Sequence, residues 1–446
     1  YAGKVNEGGA MSYFAQGDTT FDLWEDGHTD IFVPLMRGYA ADIDHRLKPL
    51  MFKNVNGTFV EKGRELEDIP KLPGVRRITK VNKPNDPFKG LFMVQHGGEF
   101  MTGHSMLLSA GDIPQNMSDM LEPFPKSEYI QGANPTRVNA HSMDGGDLNG
   151  DGRTDFVVGD WGNFWGTPVP TKPFFLLQER DGSGWQVVES DFLSDVMNNQ
   201  PMVNPDAGED NLLIDLHLSD LNGDGLDDLV AGWGHGSTHS YVFFNQGNGE
   251  FSRTDSVALP DPPYGIDNSL HLKTYSRDIS GNGANDLVVI FSRFQPYYSG
   301  YAFQFLINDG NGNFSDETDK RMINLSDPNE PSEYISWSDN FQFLDVNGDG
   351  KADIIGSQGY PDPDMRVWLN NGNGVFNETE IKDSHLGNGA WITTGWVKQK
   401  NGDIDSLVFQ ITGVPGETAE EYTKGWFSQY SLEANYDSCE SNNCCL

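Results

Sequence analysis

The chain has 446 residues, with 30 Lys and Arg against 66 Asp and Glu, a formal net charge of −36. That excess of negative charge opposes binding to nucleic acid or to an anionic membrane, and no stretch is apolar for long enough to span a bilayer. Aromatic residues make up 12% of the chain, too many for a disordered acidic protein, so the charge is mounted on a folded core.

In chain order, the first patterned element is Asp22-Leu-Trp-Glu-Asp-Gly-His-Thr-Asp30, and the hairpin signal Phe52-Lys-Asn-Val-Asn-Gly-Thr-Phe59 follows it. A degraded copy, Asn82-Lys-Pro-Asn-Asp-Pro-Phe-Lys-Gly90, precedes the strand-like Leu91-Phe-Met-Val94; Pro84 and Pro87 there suggest that its metal has been lost. Asp147-Leu-Asn-Gly-Asp-Gly-Arg-Thr-Asp155 and Asp220-Leu-Asn-Gly-Asp-Gly-Leu-Asp-Asp228 are full copies. After the latter comes the hairpin signal Phe243-Phe-Asn-Gln-Gly-Asn-Gly-Glu-Phe251. Asp278-Ile-Ser-Gly-Asn-Gly-Ala-Asn-Asp286 is looser and leads to Leu306-Ile-Asn-Asp-Gly-Asn-Gly-Asn-Phe314. The best copy is Asp345-Val-Asn-Gly-Asp-Gly-Lys-Ala-Asp353, before Leu369-Asn-Asn-Gly-Asn-Gly-Val-Phe376. A last degraded copy is Gln399-Lys-Asn-Gly-Asp-Ile-Asp-Ser-Leu407.

Oxygen side chains at positions 1, 3 and 5 alternate with residues that let the backbone curl. A Gly at position 6 permits the turn that aims the position-7 carbonyl inward, and the Asp at position 9 is expected to close the cage. Hard oxygen ligands suit Ca²⁺. An EF-hand begins in the same way but needs Glu at position 12 and a following helix. Here position 12 is Val158, Ala231 or Gly356, and the loop runs directly into short apolar strands, so an EF-hand is excluded. The expected ligands are Asp22, Asp26, the carbonyl of His28 and Asp30; Asp147, Asn149, Asp151, the carbonyl of Arg153 and Asp155; and Asp220, Asn222, Asp224, the carbonyl of Leu226 and Asp228. The later loops offer Asp278, Ser280, Asn282, the carbonyl of Ala284 and Asp286, then Asp345, Asn347, Asp349, the carbonyl of Lys351 and Asp353. Three to five structural Ca²⁺ ions are expected.

Each unit reads strand, acidic loop, strand, long loop, strand, Asn/Gly hairpin, strand. With these motifs the chain resembles the FG-GAP (VCBS-type) repeat family, whose repeats form β-propeller blades, as in integrin α-subunits. The resemblance implies an all-β, seven-bladed β-propeller of four-stranded antiparallel blades, with calcium loops between first and second strands. Blades would fall roughly at 1–62, 63–135, 136–205, 206–262, 263–330, 331–383 and 384–432 of a single domain, followed by a Cys-bearing tail at 433–446. In the family, loops between second and third strands project from the face opposite the calcium loops. That would ring one face with His96, His104, Trp161, Trp165, Trp233, His235, His239, Tyr297, Tyr298 and Tyr360.

Three functions stay open. A structural, adhesive or self-assembling protein, without enzymatic activity, would use other chains or copies of itself as partners. A lectin would stack those aromatic rings on sugars. A polysaccharide lyase would use a His or Tyr base, but no spacing assigns catalytic residues. The three cysteines, Cys439, Cys444 and Cys445, crowd one end, and the odd count leaves one for a second chain. Asn56, Asn116, Asn313, Asn324 and Asn377 are glycosylation acceptors in form. Because Tyr1 stands where a Met would, the chain reads as a processed form, and loops of this type fill at extracellular calcium levels; a secreted or cell-surface location is expected.

Overall fold

The computed structural model describes residues 20–33, 50–56, 58–62, 75–87, 89–95, 105–110, 121–124, 140–160, 174–180, 185–189, 192, 213–234, 239–247, 249–295, 299–323, 341–345, 349–357, 365–380, 391–398 and 404–411. These residues are almost entirely strand and turn. Sheet one holds β1 (Thr20–Phe21), β2 (Asp30–Val33), β3 (Leu50–Val55) and β4 (Thr58–Glu61). Sheet two holds β5 (Val75–Val81), β6 (Gly90–Gln95), β7 (Ser105–Ser109) and β8 (Leu121–Phe124). In sheet three are β9 (Ala140–Gly146), β10 (Asp155–Asp160), β11 (Phe174–Gln178) and β12 (Trp185–Glu189). Sheet four comprises β13 (Leu213–Ser219), β14 (Asp228–Trp233), β15 (Tyr241–Asn245) and β16 (Phe251–Ala258). Sheet five comprises β17 (Ser269–Arg277), β18 (Asp286–Arg293), β19 (Ser299–Asn308) and β20 (Phe314–Asp316). In all five the strands pair antiparallel in chain order, as short connections favour.

The core lies between the sheets, and strand periodicity explains why the central strands are apolar on both faces. On β10, Phe156 and Val158 face sheet two, packing with Phe92 and Val94, while Val157 between them faces Leu229 and Ala231 of sheet four. On β14, Val230 faces Val289 and Leu287 of sheet five; on β18, Val288 and Ile290 face Phe341, Ile354 and Trp368 of the next sheet. Each such side chain, taken from water, contributes about 1.5–3 kcal/mol. Large-to-small changes there would cost more than that transfer term, because a cavity remains.

The first strands of sheets two to five each skip one residue in their pairing, at Arg76, His141, Ile214 and Leu272. These bulges turn backbone carbonyls and polar side chains towards neighbouring first strands. Ser142 Oγ donates to the Leu213 carbonyl at 3.1 Å, and Arg77 Nη2 reaches the Leu272 carbonyl at 3.0 Å. Asp215 is the centre of this layer. It is 1% exposed, accepts the Thr274 N–H at 2.6 Å, and lies 3.6–3.7 Å from Lys273, Arg77 and His271.

The expected seven four-stranded blades are corrected by this topology: five sheets have the four-stranded antiparallel form. A sixth holds β22 (Phe341–Leu344), β23 (Asp353–Ser357), β24 (Met365–Asn370) and β25 (Phe376–Glu380), and gains a fifth strand, β21 (Met322–Ile323), paired parallel to β25. The buried Met322 explains that addition, because it joins the same cluster as Trp368 and Phe376. The last pair, β26 (Trp391–Lys398) and β27 (Ile404–Ile411), is a two-stranded hairpin whose first strand lies against β23, β1 and β2. Among the described residues, counting loop repeats therefore overestimated the four-stranded blades.

Candidate metal centres

The nine-residue loops join the first strand of a sheet to its second, and five of them share one geometry. In the loop of sheet three, the Asp147 carboxylate accepts the N–H groups of Gly150, Asp151 and Gly152 at 2.7–3.1 Å. Asn149 Oδ1 accepts the Asp151 N–H, and Asp151 Oδ1 accepts the Arg153 N–H, both at 3.0 Å. Asp220, Asn222 and Asp224 repeat these contacts in sheet four. Asp278 and Asn282 do so in sheet five, Asp345 and Asp349 in sheet six, and Asp22 and Asp26 in sheet one. Positions 4 and 6 both take the left-handed region: Gly150 and Gly152 have φ of 75° and 78°, Gly223 and Gly225 have 79° and 87°, and in sheet one Glu25 holds position 4 at 49°.

Position 9 makes a second set of contacts, to the backbone. Asp155 Oδ2 accepts the Leu148 N–H at 3.0 Å, and its Oδ1 accepts the Gln178 N–H of the third strand at 2.8 Å. Asp30, Asp228 and Asp286 make the same pair of bonds, to Leu23 and Asn54, Leu221 and Asn245, and Ile279 and Asn308; Asp353 accepts from Asn370. Each carboxylate therefore ties its loop to the middle of its own sheet. Burial pushes Asp155 and Asp228 up to about 7, with the charges at positions 5 and 1 adding to the effect; burial likewise pushes Asp30 up to about 6.

The third-strand Asn, readable in the sequence only as part of a hairpin, links one sheet to the next. Asn245 Nδ2 donates to the Leu148 carbonyl of the preceding loop at 3.0 Å and to Asp227 O at 3.0 Å. Asn308 Nδ2 does the same to Leu221 O and Asn285 O at 2.7 and 2.9 Å. Position 8 adds a second tie: Thr154 to the Asp86 carboxylate, Asp227 to the backbone of Asp147, and Asn285 to Asp220 O.

In donor type the loops fit a hard divalent cation, with two or three carboxylates and, in most of them, an amide oxygen. Yet no three His, Cys, Asp or Glu side chains converge on one point among the described residues. Some loops carry a cation of their own. Lys53 Nζ lies 2.9 Å from Asp26 and 5.3 Å from the Trp24 ring; it outweighs the burial penalty on Asp26 and holds that carboxyl below its usual range. Arg153 pairs with Asp151, and Lys351 with Asp349 at 3.5 Å. Leu226 and Ala284 supply no charge to the loops of sheets four and five.

Of the proposed ligand face, Trp233 and His239 are described. Trp233 is buried, and His239 lies 3.6 Å from the Asp261 carboxylate. His96, His104, Trp161, Trp165, His235, Tyr297, Tyr298 and Tyr360 lie outside the described residues, as do Asn347, Asn116, Asn324, the loop copy at 399–403 and Cys439, Cys444 and Cys445. Asn56 sits at a tight turn with φ of 52°; Asn313 and Asn377 lie beside and on outer strands.

Sequential four-stranded sheets, packed face to face and joined by acidic loops, define a β-propeller. More particularly, the FG-GAP-like repeat matches residues 220–289 and 278–356, so sheets four to six are built from FG-GAP-like repeats. No curated protein sequence matches it. Among solved structures it is similar to the polysaccharide lyase Uly1, with 11% identity, 93% of this chain and 91% of that one covered, and a TM-score of 0.49. The periplasmic gluconolactonase PpgL of Pseudomonas aeruginosa gives 14% identity, 85% and 92% coverage and a TM-score of 0.46. A puromycin hydrolase gives 10% identity, 89% coverage and a TM-score of 0.40, and the chain spans about half the length of that protein.

Proposed function

We propose that this chain is a calcium-stiffened β-propeller scaffold, acting outside the cell or at its surface in a structural or adhesive role. The observation that carries this reading is the stitching of each acidic loop to the next. Asn245 and Asn308 grip the preceding loop, so a cation that fixes one loop also fixes its neighbour. Ca²⁺ would be held by Asp220, Asn222 and Asp224 and their counterparts, where it offsets carboxylate repulsion. Loops four and five, which have no basic side chain at position 7, are the strongest candidates. Isothermal titration of the chelator-stripped protein with Ca²⁺ tests the proposal, read beside its melting temperature. Saturable binding of at least two ions with a rise in melting temperature supports it; a featureless titration refutes it.

A further inference from the structure

Away from the acidic loops, a different constellation lies between sheets four and five. Ser240 directly precedes β15, its carbonyl fixed by the Leu259 N–H at 2.8 Å. His271 sits on β17 at the bulge, where the register shift turns the ring towards sheet four. Gly232 makes room for that ring, since a Cβ there would stand 2.5 Å from its Cδ2. Phe291 holds the ring edge-on at 5.1 Å between centroids.

His271 Nδ1 is 2.8 Å from Ser240 Oγ, and Nε2 is 2.6 Å from Thr274 Oγ1 and 3.7 Å from the Asp215 carboxylate. The Nε2–H donated on that side leaves the Nδ1 lone pair to accept the Ser240 hydroxyl proton. A hydroxyl, a base and a carboxylate-backed partner that orients the base thus stand in sequence. Ser240 and His271 border a small, shallow pocket with Pro260, Pro262 and Phe291 among its walls. Trp233 lines the same pocket, and its buried Nε1–H has no hydrogen-bond partner among the described residues. A buried donor without an acceptor is costly, which makes this N–H ready to donate to a ligand oxygen.

We infer that Ser240 and His271 form a nucleophile–base pair for acyl transfer on small esters, with an activity separate from the scaffold role. The proline and phenylalanine walls would face a small acyl group at the pocket mouth. Ser240 Oγ attacks the ester carbonyl carbon as its proton passes to His271 Nδ1, and Trp233 Nε1–H stabilises the oxyanion. The ester C–O bond then breaks, and the alcohol leaves with that proton. Water attacks the acyl-serine, gives a proton to Nδ1, and the acid departs as Ser240 regains it.

The test uses the full chain, a fluorophosphonate that phosphonylates base-activated serines with loss of fluoride, and 4-nitrophenyl acetate as substrate. The expected result is an adduct on the peptide containing Ser240, and turnover that falls at least ~100-fold in Ser240→Ala at unchanged melting temperature. His271→Gln should slow labelling of Ser240 by a similar factor. If that variant fails to fold, Trp233→Phe removes the N–H together with part of the ring and should reduce turnover by ~10-fold or more in protein that a melting curve shows to be folded. A Ser240 that stays unlabelled, or turnover equal in wild type and Ser240→Ala, overturns the inference.

Discussion

Replacing Asn308 by Ala tests whether the third-strand Asn holds neighbouring sheets together. The side chain is fully buried; it donates to two carbonyls and accepts from Gly310 and Gly312 at 3.0 and 3.1 Å. Gly310 and Asn285 lie near enough to the surface to recover a water. Leu221 O and the Gly312 N–H do not, and each buried group left alone costs about 1–3 kcal/mol. The expected loss is therefore about 2–6 kcal/mol, read as a lower urea midpoint by fluorescence of the buried Trp233 and Trp368. Asn308→Asp separates lost bonding from lost volume. It keeps the shape but faces two carbonyl oxygens with a carboxylate, so at neutral pH it should cost at least as much. Exposed Thr254→Ala on β16 should stay within about 0.5 kcal/mol of wild type. The argument is wrong if Asn308→Asp matches wild type, or if Asn308→Ala loses under about 1 kcal/mol.

Asp215→Ala removes the anion that Lys273, Arg77 and His271 share, and should destabilise by about 3–5 kcal/mol in the same urea assay. Burial works against that charge, but Lys273, the hydrogen bond to His271 and Arg77 outweigh it and hold the carboxyl below its usual range. Its contribution is then complete above the unfolded value of about 3.9 and fades as pH falls further, so Asp215→Asn should flatten the acid limb of a stability–pH profile. Gly312→Ala forces a side chain onto a φ of 78° and within 2.4 Å of the Phe244 ring, and should cost about 1–3 kcal/mol by urea titration. Chelation should lower the melting temperature, and Asp349→Ala should reduce the calcium-dependent gain more than Asp26→Ala; ligand at 100 times its dissociation constant is worth about 2.7 kcal/mol. Asp26 already has Lys53 as a partner, which is why its loss should matter less to calcium.

The strands and loops were legible because each rests on a local rule. Short apolar runs located β10, β14 and β23, Gly/Asn punctuation located the hairpins after Phe52, Phe243, Leu306 and Leu369, and the spacing of Asp and Gly located the loops that cross between strands. The destination of the position-9 carboxylate was not legible, since its partner, as with Asp155 and Gln178, is a backbone N–H on another strand. Nor was the role of Asn245 and Asn308: their acceptors are 97 and 87 residues away, and a hairpin alone accounts for an Asn before Gly. The Ser240–His271 contact was hidden for a related reason. A bulge re-aims His271, and nothing in the local pattern of β17 announces where that bulge falls.

Loop two shows how a sheet is tied in when its acidic loop has lost the pattern. Pro84 and Pro87 interrupt it, yet Asp86 accepts the N–H and hydroxyl of Thr154 at 2.6 and 2.7 Å, and Asn85 donates to the Asp151 carbonyl. Its Lys83 reaches past the adjacent loop to Asp227 at 3.2 Å, and Asp227 in turn accepts the Asp147 N–H. An ammonium on a side chain thus stands among the same carboxylates that a cation would balance elsewhere. Lys53 does this for the loop of sheet one. A protein ammonium cannot be removed by a chelator, so sheets one and two should keep their hydrogen-exchange protection when calcium is stripped, while loop five, with no such charge, opens first.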